Sequence, residues 1–269
     1  MNSFIVNIIQ SDVIWGNPLE NIARMKARLD SLPGEPSIVI LPELWTCSYD
    51  NPRMQEHASS SPDALEMLMD ISRKKGFCII GGSLPWKDKP SGFTFNRCHV
   101  IDETGSLKGY YDKAHLFPLL DEHLLFSPGG HPLLFEVYGI TAATAICYDI
   151  RFPEFIRSLA LAGADLLFVP AQWPNPRIDH WTTLLRARAI ENQMFVIGCN
   201  RCGVGGSDLF GGRSIAVAPD GNILAEGLSS DEMIMKVEIN TDLIRQTRKK
   251  LPFTGGRNPL MYSPVTAFH

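Results

Sequence analysis

The sequence predicts a single α/β domain built from mixed β-sheets. Strand-like and helix-like segments alternate near the N-terminus and again after residue 152. Between and after these stretches lie pairs of strand-like segments joined by short turns, which are typical of hairpins. No repeat or long linker divides the 269 residues, so we expect one domain over 1–269, with 259–269 as a C-terminal tail. Helix-linked strands mixed with hairpins indicate sheets covered by helices on one face. Two such sheets packed face to face form a four-layer α-β-β-α sandwich.

The N-terminal third contains the first alternating segments. Short apolar runs predict strands, and longer runs with capping residues predict helices. The predicted strands are Phe4–Gln10, Ser37–Leu41 and Phe77–Leu84, and the predicted helices are Leu19–Leu32 and Ser61–Gly76. In the second helix, Ser61 is the expected N-cap and Gly76 the expected C-cap.

Hairpins interrupt this alternation in the middle of the chain. The paired strands are Asn96–Asp102 with Leu107–Tyr111, and Leu133–Tyr138 with Ile140–Ile146. The alternation then returns with helix Pro153–Ala162, strand Leu166–Val169, helix His180–Asn192 and strand Phe195–Cys199. A last hairpin, Ser214–Ala218 with Ile223–Ala225, turns on Asp220-Gly221, a strong turn signal.

Composition excludes several classes of partner. The formal net charge is -4 and no Lys/Arg tract occurs, so neither nucleic acid nor an anionic membrane is expected as partner. The N-terminus lacks a signal-peptide pattern, and no window approaches the ~20 apolar residues that span a bilayer. The six cysteines are irregularly spaced, which favours free thiols. We therefore expect a cytoplasmic protein.

Three reactive side chains follow predicted strands. Glu43 comes after a buried strand, Lys113 after a hairpin strand and Cys147 after another apolar strand. Taken singly, the cysteine is typical of a core position, the lysine of a loop and the glutamate of a turn cap. A carboxylate, an ammonium and a thiol beside apolar strands are costly to bury singly, so we expect them to lie together.

Five stretches resemble the nitrilase superfamily of carbon–nitrogen hydrolases, and the resemblance covers nearly the whole chain. Three surround the reactive residues: Leu41-Pro42-Glu43-Leu44, Tyr111-Asp112-Lys113-Ala114-His115-Leu116-Phe117 and Ala145-Ile146-Cys147-Tyr148-Asp149-Ile150-Arg151-Phe152-Pro153-Glu154. The other two are Arg186-Ala187-Arg188-Ala189-Ile190-Glu191-Asn192 and Gly212-Arg213-Ser214-Ile215. The three stretches around the reactive residues occur in the family's order and spacing.

The resemblance implies the family's four-layer sandwich and a catalytic triad of Glu43, Lys113 and Cys147. In that chemistry Cys147 attacks an amide carbonyl to form a thioester, and Glu43 carries the proton to departing ammonia and then activates water. Lys113 is expected to lower the thiol pKa and, with the backbone N–H of Tyr148, to stabilise the oxyanion. Neither a metal nor an organic cofactor is expected.

Glu122 matches the position of a second glutamate that relatives carry near the lysine. Its implied role is to orient Lys113 and the substrate amide. Because Asp121 lies beside it, the match is less specific, and a structural loop carboxylate is the alternative.

The residues after Cys147 resemble the ω-amidase branch, which deamidates ω-amides of short dicarboxylates such as 2-oxoglutaramate and 2-oxosuccinamate. True nitrilases usually follow the cysteine with Trp-Glu, whereas this chain has Tyr148-Asp149. The stretch Trp173-Pro174-Asn175-Pro176-Arg177 is also similar to bacterial members of the branch. A carbamoyl or other aliphatic amide hydrolase is the alternative within enzymes, and a non-catalytic binding scaffold is the alternative outside them.

A substrate of that branch carries a carboxylate remote from its amide, and a guanidinium binds carboxylates through two parallel hydrogen bonds. Arg151 is the first candidate for this contact and Arg177 the second. A salt bridge from Arg151 to Glu154 that only braces the turn is the alternative. Tyr148 and Trp173 are expected to form pocket walls, and the exact substrate stays open.

The remaining signals are weaker. The expected partner is a small-molecule amide, and the resemblance implies a homodimer to which the tail contributes. Cys199 and Cys202 have CxxC spacing, but no second Cys/His pair accompanies them. They therefore make a poor zinc or redox site, and no metal ligands are assigned.

Overall fold

The computed structural model describes residues 3–228 and 231–262. The strands are β1 Ser3–Gln10, β2 Ser37–Ile40, β3 Phe77–Ile80, β4 Leu84–Lys87, β5 Thr94–Ile101, β6 Leu107–Asp112, β7 Leu134–Val137, β8 Ile140–Thr144, β9 Leu166–Ala171, β10 Phe195–Asn200, β11 Cys202–Gly205, β12 Asp208–Gly211, β13 Ile215–Val217, β14 Ile223–Glu226 and β15 Met233–Asn240. The helices are α1 Pro18–Ser31, α2 Met54–His57, α3 Ser61–Lys75, α4 Glu122–Leu125, α5 Pro153–Leu161, α6 Ile178–Asn192 and α7 Asp242–Lys250. Of these helices, none is long and apolar enough to cross a lipid bilayer.

The strands form two mixed sheets of similar plan. The first has the order β15-β1-β2-β3-β5-β4, with β6 also paired to β5, and the second has the order β14-β13-β10-β9-β8-β7. Each sheet has three parallel strands at its centre, β1-β2-β3 and β8-β9-β10, with antiparallel strands on both sides. A separate hairpin joins β11 to β12.

The side chains of the first sheet alternate between two cores. Ile38 and Ile40 of β2 belong to a cluster shared with the second sheet, which includes Val169. Val39, between them, belongs to the cluster formed with Leu68 of α3 and other residues of α1 and α3. On the far side of the second sheet, α6 packs on β10 and β13. This alternation, which the period of a strand requires, confirms the predicted four-layer α-β-β-α sandwich.

The predicted strand Phe77–Leu84 is two strands, β3 and β4, because the chain turns at Gly82. Gly82 has φ +65°, and a Cβ atom there would lie 2.1 Å from the carbonyl oxygen of Pro42. The same oxygen accepts a hydrogen bond from the backbone N–H of Ser83 (3.1 Å). The glycine turn therefore fixes the backbone immediately before Glu43.

Of the two caps predicted for the second long helix, the N-cap was wrong and the C-cap was confirmed. Ser61 is the first helical residue of α3, not its N-cap, and its hydroxyl donates to the carbonyl oxygen of Pro85 (2.5 Å). At the other end Gly76 adopts the left-handed conformation (φ +75°) that a helix C-cap favours, as predicted.

Several elements near the C-terminus were not predicted. β15 pairs with β1 over its full length, from Ser3 opposite Asn240 to Gln10 opposite Met233. Only two of its eight residues are buried, so its apolar signal is weak. Of the predicted tail, 259–262 form a 3₁₀ turn, whereas 263–269 lie outside the described residues.

Candidate active site

The candidate active site lies where strands of both sheets end. Glu43 is three residues beyond β2, Lys113 directly follows β6, and Cys147 is three residues beyond β8. β2 and β6 belong to the first sheet and β8 to the second. All three side chains are buried, so the sandwich brings these predicted site residues to one region between its sheets.

Cys147 begins a 3₁₀ turn and has a left-handed backbone, with φ +48°. Such a conformation is uncommon for a residue other than glycine and persists only where neighbouring contacts hold it. Asp149 provides such contacts, because its Oδ2 accepts from the N–H of Ile146 (2.8 Å) and from the hydroxyl of Tyr111 (2.8 Å). Tyr111 is two residues from Lys113, so Asp149 ties the cysteine turn to the lysine segment.

Lys113 lies between two buried carboxylates. Its Nζ is 2.8 Å from Oε1 of Glu43, and 2.9 and 2.7 Å from Oε1 and Oε2 of Glu122. Glu122 is the first residue of α4, and its Oε2 also accepts from the N–H of Phe117 (2.6 Å). The direct contact between Glu122 and Lys113 is the one that its predicted orienting role requires.

Three residues that the sequence analysis did not identify donate hydrogen bonds to the carboxylates of Glu43 and Glu122. The hydroxyl of Tyr49 is 2.8 Å from Glu43 Oε1 and 3.0 Å from Glu122 Oε1, and Nδ2 of Asn96 is 2.9 and 3.1 Å from the same two atoms. The backbone N–H of Gln172 donates to Glu43 Oε2 (2.9 Å). Gln172 follows the buried strand β9, so the rule that selected Glu43 applies to it as well. Tyr49 lies in a loop and Asn96 inside a strand, where no such rule applies.

Burial has the largest effect on the pKa of the Cys147 thiol. Desolvation raises the pKa of the Cys147 thiol well above its usual value, and the Glu43 carboxylate raises it further, whereas Lys113 lowers it. The net direction is upward, which favours the protonated form of the thiol. Lys113 has the pKa-lowering effect on the thiol that was expected of it, but desolvation, which sequence alone does not measure, outweighs that effect.

The two carboxylates beside Lys113 favour its charged form. Burial by itself would lower its pKa, but the carboxylates of Glu122 and Glu43 outweigh burial and raise it. Burial raises the pKa of Glu122, and the adjacent ammonium opposes this shift. The lysine charge is therefore available at all ordinary pH values.

A small cavity, with about 290 Å³ of empty space that is partly open to solvent, lies over Cys147 and Lys113. All four residues predicted to bind substrate line it: Tyr148, Arg151, Trp173 and Arg177. The indole N–H of Trp173 donates to the carbonyl oxygen of Arg177 (2.7 Å), which fixes the orientation of this wall. The small volume suits a short linear molecule.

The two arginines of the cavity have no ion-pair partner within 3–228 and 231–262. Arg151 lies 4.7 Å above the ring of Trp173, and its Nη2 is 3.4 Å from Nδ1 of His180. The alternative salt bridge from Arg151 to Glu154 is not formed. Burial lowers the pKa of Arg151, and the charge of Arg177 lowers it further. Two neighbouring cations without counter-ions leave the cavity suited to an anion.

The other cysteines are ordinary core residues. All six are free and buried. Cys199 directs its Sγ at the carbonyl oxygens of Ile9 (3.3 Å) and Ile40 (3.5 Å). No group of three or more His, Cys, Asp or Glu side chains among the described positions is arranged to hold a metal ion.

Comparison with known proteins places these residues in context. The family model described as carbon-nitrogen hydrolase matches residues 12–249. The 2-oxoglutaramate amidase of Bacillus subtilis is 38% identical over 248 residues, which cover 92% of this chain and 95% of the relative. The omega-amidase YafV of Escherichia coli K12 is 32% identical over 249 residues, which cover 92% and 94% of the two chains.

Solved structures agree with the fold. A carbon–nitrogen hydrolase superfamily protein of Xanthomonas campestris is 30% identical, with a TM-score of 0.89 over 99% of this chain and 100% of that one. An amidase of Nesterenkonia is 25% identical, with a TM-score of 0.79 over 94% and 99% of the chains. One structure of that amidase, a glutamate-to-glutamine mutant, carries the product of Michael addition of acrylamide at its active-site cysteine.

Proposed function

The chain belongs to the carbon–nitrogen hydrolase family and hydrolyses non-peptide carbon–nitrogen bonds, and within this family we propose that it is an ω-amidase. Its substrate is the ω-amide of a short dicarboxylate, such as 2-oxoglutaramate, and its products are the dicarboxylate and ammonia. One observation carries the proposal: Cys147 shares a small cavity with Arg151 and Arg177, which have no ion-pair partner among the described residues. A relative that is 38% identical is named 2-oxoglutaramate amidase, which supports the same substrate.

The first half-reaction forms a thioester. Glu43 takes the thiol proton of Cys147 as Sγ attacks the amide carbonyl, so no free thiolate is needed at rest. The charge of Lys113 and the backbone N–H of Tyr148 stabilise the tetrahedral oxyanion, and one such donor is typically worth about 3–4 kcal/mol. The three short contacts of Lys113 Nζ are with oxygens of Glu43 and Glu122, so Lys113 stabilises the oxyanion mainly through its charge. Glu43 then gives its proton to the leaving ammonia as the C–N bond breaks.

The second half-reaction hydrolyses the thioester. Glu43, again ionised, accepts a proton from water as the water oxygen attacks the acyl carbon. The C–S bond breaks, the Cys147 sulfur regains a proton and the dicarboxylate leaves. Glu122 acts by holding Lys113 in place in both halves. Tyr148 and Trp173 form the walls that limit the length of the acyl chain.

Ammonia release across a substrate panel tests the proposal. The panel comprises 2-oxoglutaramate, 2-oxosuccinamate, glutamine, asparagine, carbamoyl amines and simple nitriles. We expect the highest kcat/KM for the 2-oxo ω-amides. Preference for carbamoyl or neutral amides would replace the ω-amidase assignment by the other amide hydrolase, and no turnover of any compound would favour a binding scaffold.

Arg151→Met is expected to raise KM and lower kcat/KM steeply for 2-oxoglutaramate. Removing one partner of a buried charge pair typically costs about 2–5 kcal/mol, so the loss is on the order of 30-fold or more. A neutral amide of similar length never uses the guanidinium and should change much less. Arg177→Met is the matched variant, and it shows the same selectivity if Arg177 is the anchor. Equal losses on charged and neutral amides in both variants would mean that neither arginine binds the carboxylate.

We also propose a cytoplasmic homodimer. Six buried free thiols suit a reducing compartment. Leu260, Met261 and Tyr262 expose 88%, 71% and 56% of their surface near the C-terminus, and adjacent exposed apolar residues are typical of interfaces. Sedimentation equilibrium should give twice the chain mass of 29.9 kDa, and a monomer at micromolar concentration would contradict the dimer. Cell fractionation tests the compartment.

A further inference from the structure

The two residues between the cysteines of the CxxC stretch contact the candidate active site. Asn200 is the last residue of β10 and lies opposite Ala171, the last residue of β9. Just beyond this pair, the backbone N–H of Arg201 donates to the carbonyl oxygen of Ala171 (3.1 Å). The side chains of Asn200 and Arg201 are fully buried. They bind the two residues that follow β9, which are Gln172 and Trp173.

Asn200 holds the backbone of Trp173 by two hydrogen bonds. Its Oδ1 accepts from the N–H of Trp173 (2.7 Å), and its Nδ2 donates to the carbonyl oxygens of Trp173 (3.2 Å) and Gly212 (2.8 Å). The ring of Trp173 in turn contacts both arginine segments of the cavity. The guanidinium of Arg151 lies 4.7 Å above it, and the indole N–H donates to the carbonyl oxygen of Arg177 (2.7 Å). Asn200 therefore supports, through Trp173, the wall that presents the two cations.

Gln172 holds Glu43 at both ends. Its backbone N–H donates to Oε2 of the Glu43 carboxylate (2.9 Å). Its side-chain Nε2 donates to the backbone carbonyl oxygens of Glu43 (2.7 Å) and Leu44 (3.3 Å). Only the NH₂ group of an amide can donate, so the second contact requires that Gln172 turn its Nε2 toward Glu43 and its Oε1 away.

Arg201 and Ser48 fix that orientation of the Gln172 amide. Oε1 of Gln172 accepts from the hydroxyl of Ser48 (2.9 Å) and from Nη1 of Arg201 (3.4 Å), and the same Nη1 donates to the Ser48 hydroxyl oxygen (2.9 Å). A rotated amide would place its NH₂ group against the guanidinium and its oxygen against the carbonyl of Glu43. The guanidinium is itself held by Asp12, whose Oδ1 is 2.7 Å from Nη2.

We propose that Asn200 and Arg201 are positioning residues with separate tasks. Asn200 fixes the carboxylate-binding wall through Trp173, and Arg201 fixes the base Glu43 through Gln172. The proposal rests on the proposed function, because it takes the base and the carboxylate site from there. Neither Asn200 nor Arg201 is among the residues that line the cavity, so each acts through its neighbour.

Asn200→Ala should lower the preference for a charged substrate. This preference is the ratio of kcat/KM for 2-oxoglutaramate to kcat/KM for pentanamide, a neutral amide of the same chain length. Without the two bonds to its backbone, Trp173 no longer fixes the arginines, so the ratio should fall about fivefold or more. The Kd of 2-oxoglutaramate, measured by calorimetry in the inactive Cys147→Ala background, should rise by a similar factor.

The ratio does not depend on how much of the variant folds, because a smaller folded fraction lowers both kcat/KM values equally. Asn200→Ser leaves a hydroxyl in the buried position, and it serves as a second variant if Asn200→Ala does not fold. It should lower the ratio in the same direction.

Asn21→Ala is the matched control. Asn21 is also buried and has the same pattern of bonds: its Oδ1 accepts from the N–H of Ile14 (2.9 Å), and its Nδ2 donates to the carbonyl oxygens of Ile14 (2.7 Å) and Thr46 (2.8 Å). Neither partner lines the cavity. Its loss should cost thermal stability, as Asn200→Ala does, and leave the ratio unchanged.

Arg201→Lys and Ser48→Ala should slow the chemical steps and leave the ratio unchanged. Lysine keeps a cation for Asp12 but lacks the second nitrogen that reaches Ser48 and Gln172, and Ser48→Ala removes one oxygen atom. Chemistry is sensitive to small displacements of a catalytic group, so the first-order rate constants of thioester formation and hydrolysis should fall about fivefold to tenfold. Rapid-quench mass spectrometry measures these constants, which do not depend on the amount of folded enzyme.

Two outcomes overturn the roles of the two residues and leave the proposed function standing. One is an unchanged ratio in the Asn200 variants while Arg151→Met or Arg177→Met lowers it. The other is unchanged rate constants in both Arg201→Lys and Ser48→Ala while Glu43→Gln is inactive.

Two further outcomes concern the division of tasks and the site itself. An equal fall of the ratio in the Asn200 and Arg201 variants would mean that the turn acts as one unit, which overturns the separate tasks. A ratio that neither Arg151→Met nor Arg177→Met lowers overturns the proposed carboxylate site, and the role of Asn200 with it.

Discussion

Cys147→Ala is expected to abolish amide hydrolysis and leave the fold intact. No other group in the cavity can form the thioester, and removal of a catalytic nucleophile typically costs about 10⁴-fold or more in kcat. The replacement removes one sulfur atom at a turn that Asp149 holds through the backbone N–H of Ile146, so the turn keeps its main support. Ammonia release measures the activity, and circular dichroism with thermal unfolding measures the fold.

Cys199→Ala is the control for this experiment. Its thiol is also buried but points to carbonyl oxygens of β1 and β2 in the core, so its loss should affect stability and not chemistry. Iodoacetamide should label Cys147 before the other five cysteines, because only Cys147 opens onto the cavity and the reagent is itself a small amide. Normal turnover in Cys147→Ala would contradict the thioester mechanism. Iodoacetamide labelling of another cysteine before Cys147 would contradict it as well.

The part of the site that could be predicted from the sequence consists of reactive residues that follow strands. Glu43, Lys113 and Cys147 each come at or shortly after the end of a strand, and the sandwich brings the ends of these strands from both sheets together. The family signatures around the same residues added their order and their implied roles. Gln172 also follows a buried strand, so the same rule could have included it.

Other features of the site depend on packing that no local pattern records. Tyr49 and Asn96 meet Glu43 and Glu122 only because a loop, a strand and a short helix converge on Lys113. Their sequence neighbourhoods contain no sign of this convergence.

The charge of the thiol is a second example. Lys113 lowers the pKa of Cys147, as its proximity predicts, but burial of the thiol outweighs this effect and the net shift is upward. Similarly, sequence spacing left a salt bridge from Arg151 to Glu154 as an alternative, whereas the guanidinium lies over the ring of Trp173. Desolvation and aromatic stacking are properties of the folded arrangement, and they decide both cases.

Glu43→Gln should stop both formation and hydrolysis of the thioester. The amide has nearly the shape of the carboxylate but cannot accept a proton at neutral pH, and loss of a general base typically costs about 10²–10⁴-fold. Because Glu43 acts in both half-reactions, neither a fast burst of ammonia nor turnover of a preformed thioester should remain. Rapid-quench mass spectrometry follows the acylated chain during acylation and after substrate removal.

Glu122→Gln is the matched variant, since the two glutamates share Lys113, Tyr49 and Asn96 as donors. Each replacement removes one negative charge next to the same ammonium, so effects that arise from charge alone are common to both. Glu122 does not carry the proton, so its loss should slow acylation by misplacing Lys113 and leave measurable turnover. The difference between the variants therefore isolates the proton transfer at Glu43. Normal acylation and deacylation in Glu43→Gln would remove Glu43 from the role of base, and an equal loss in both variants would mean that the pair acts only by fixing Lys113.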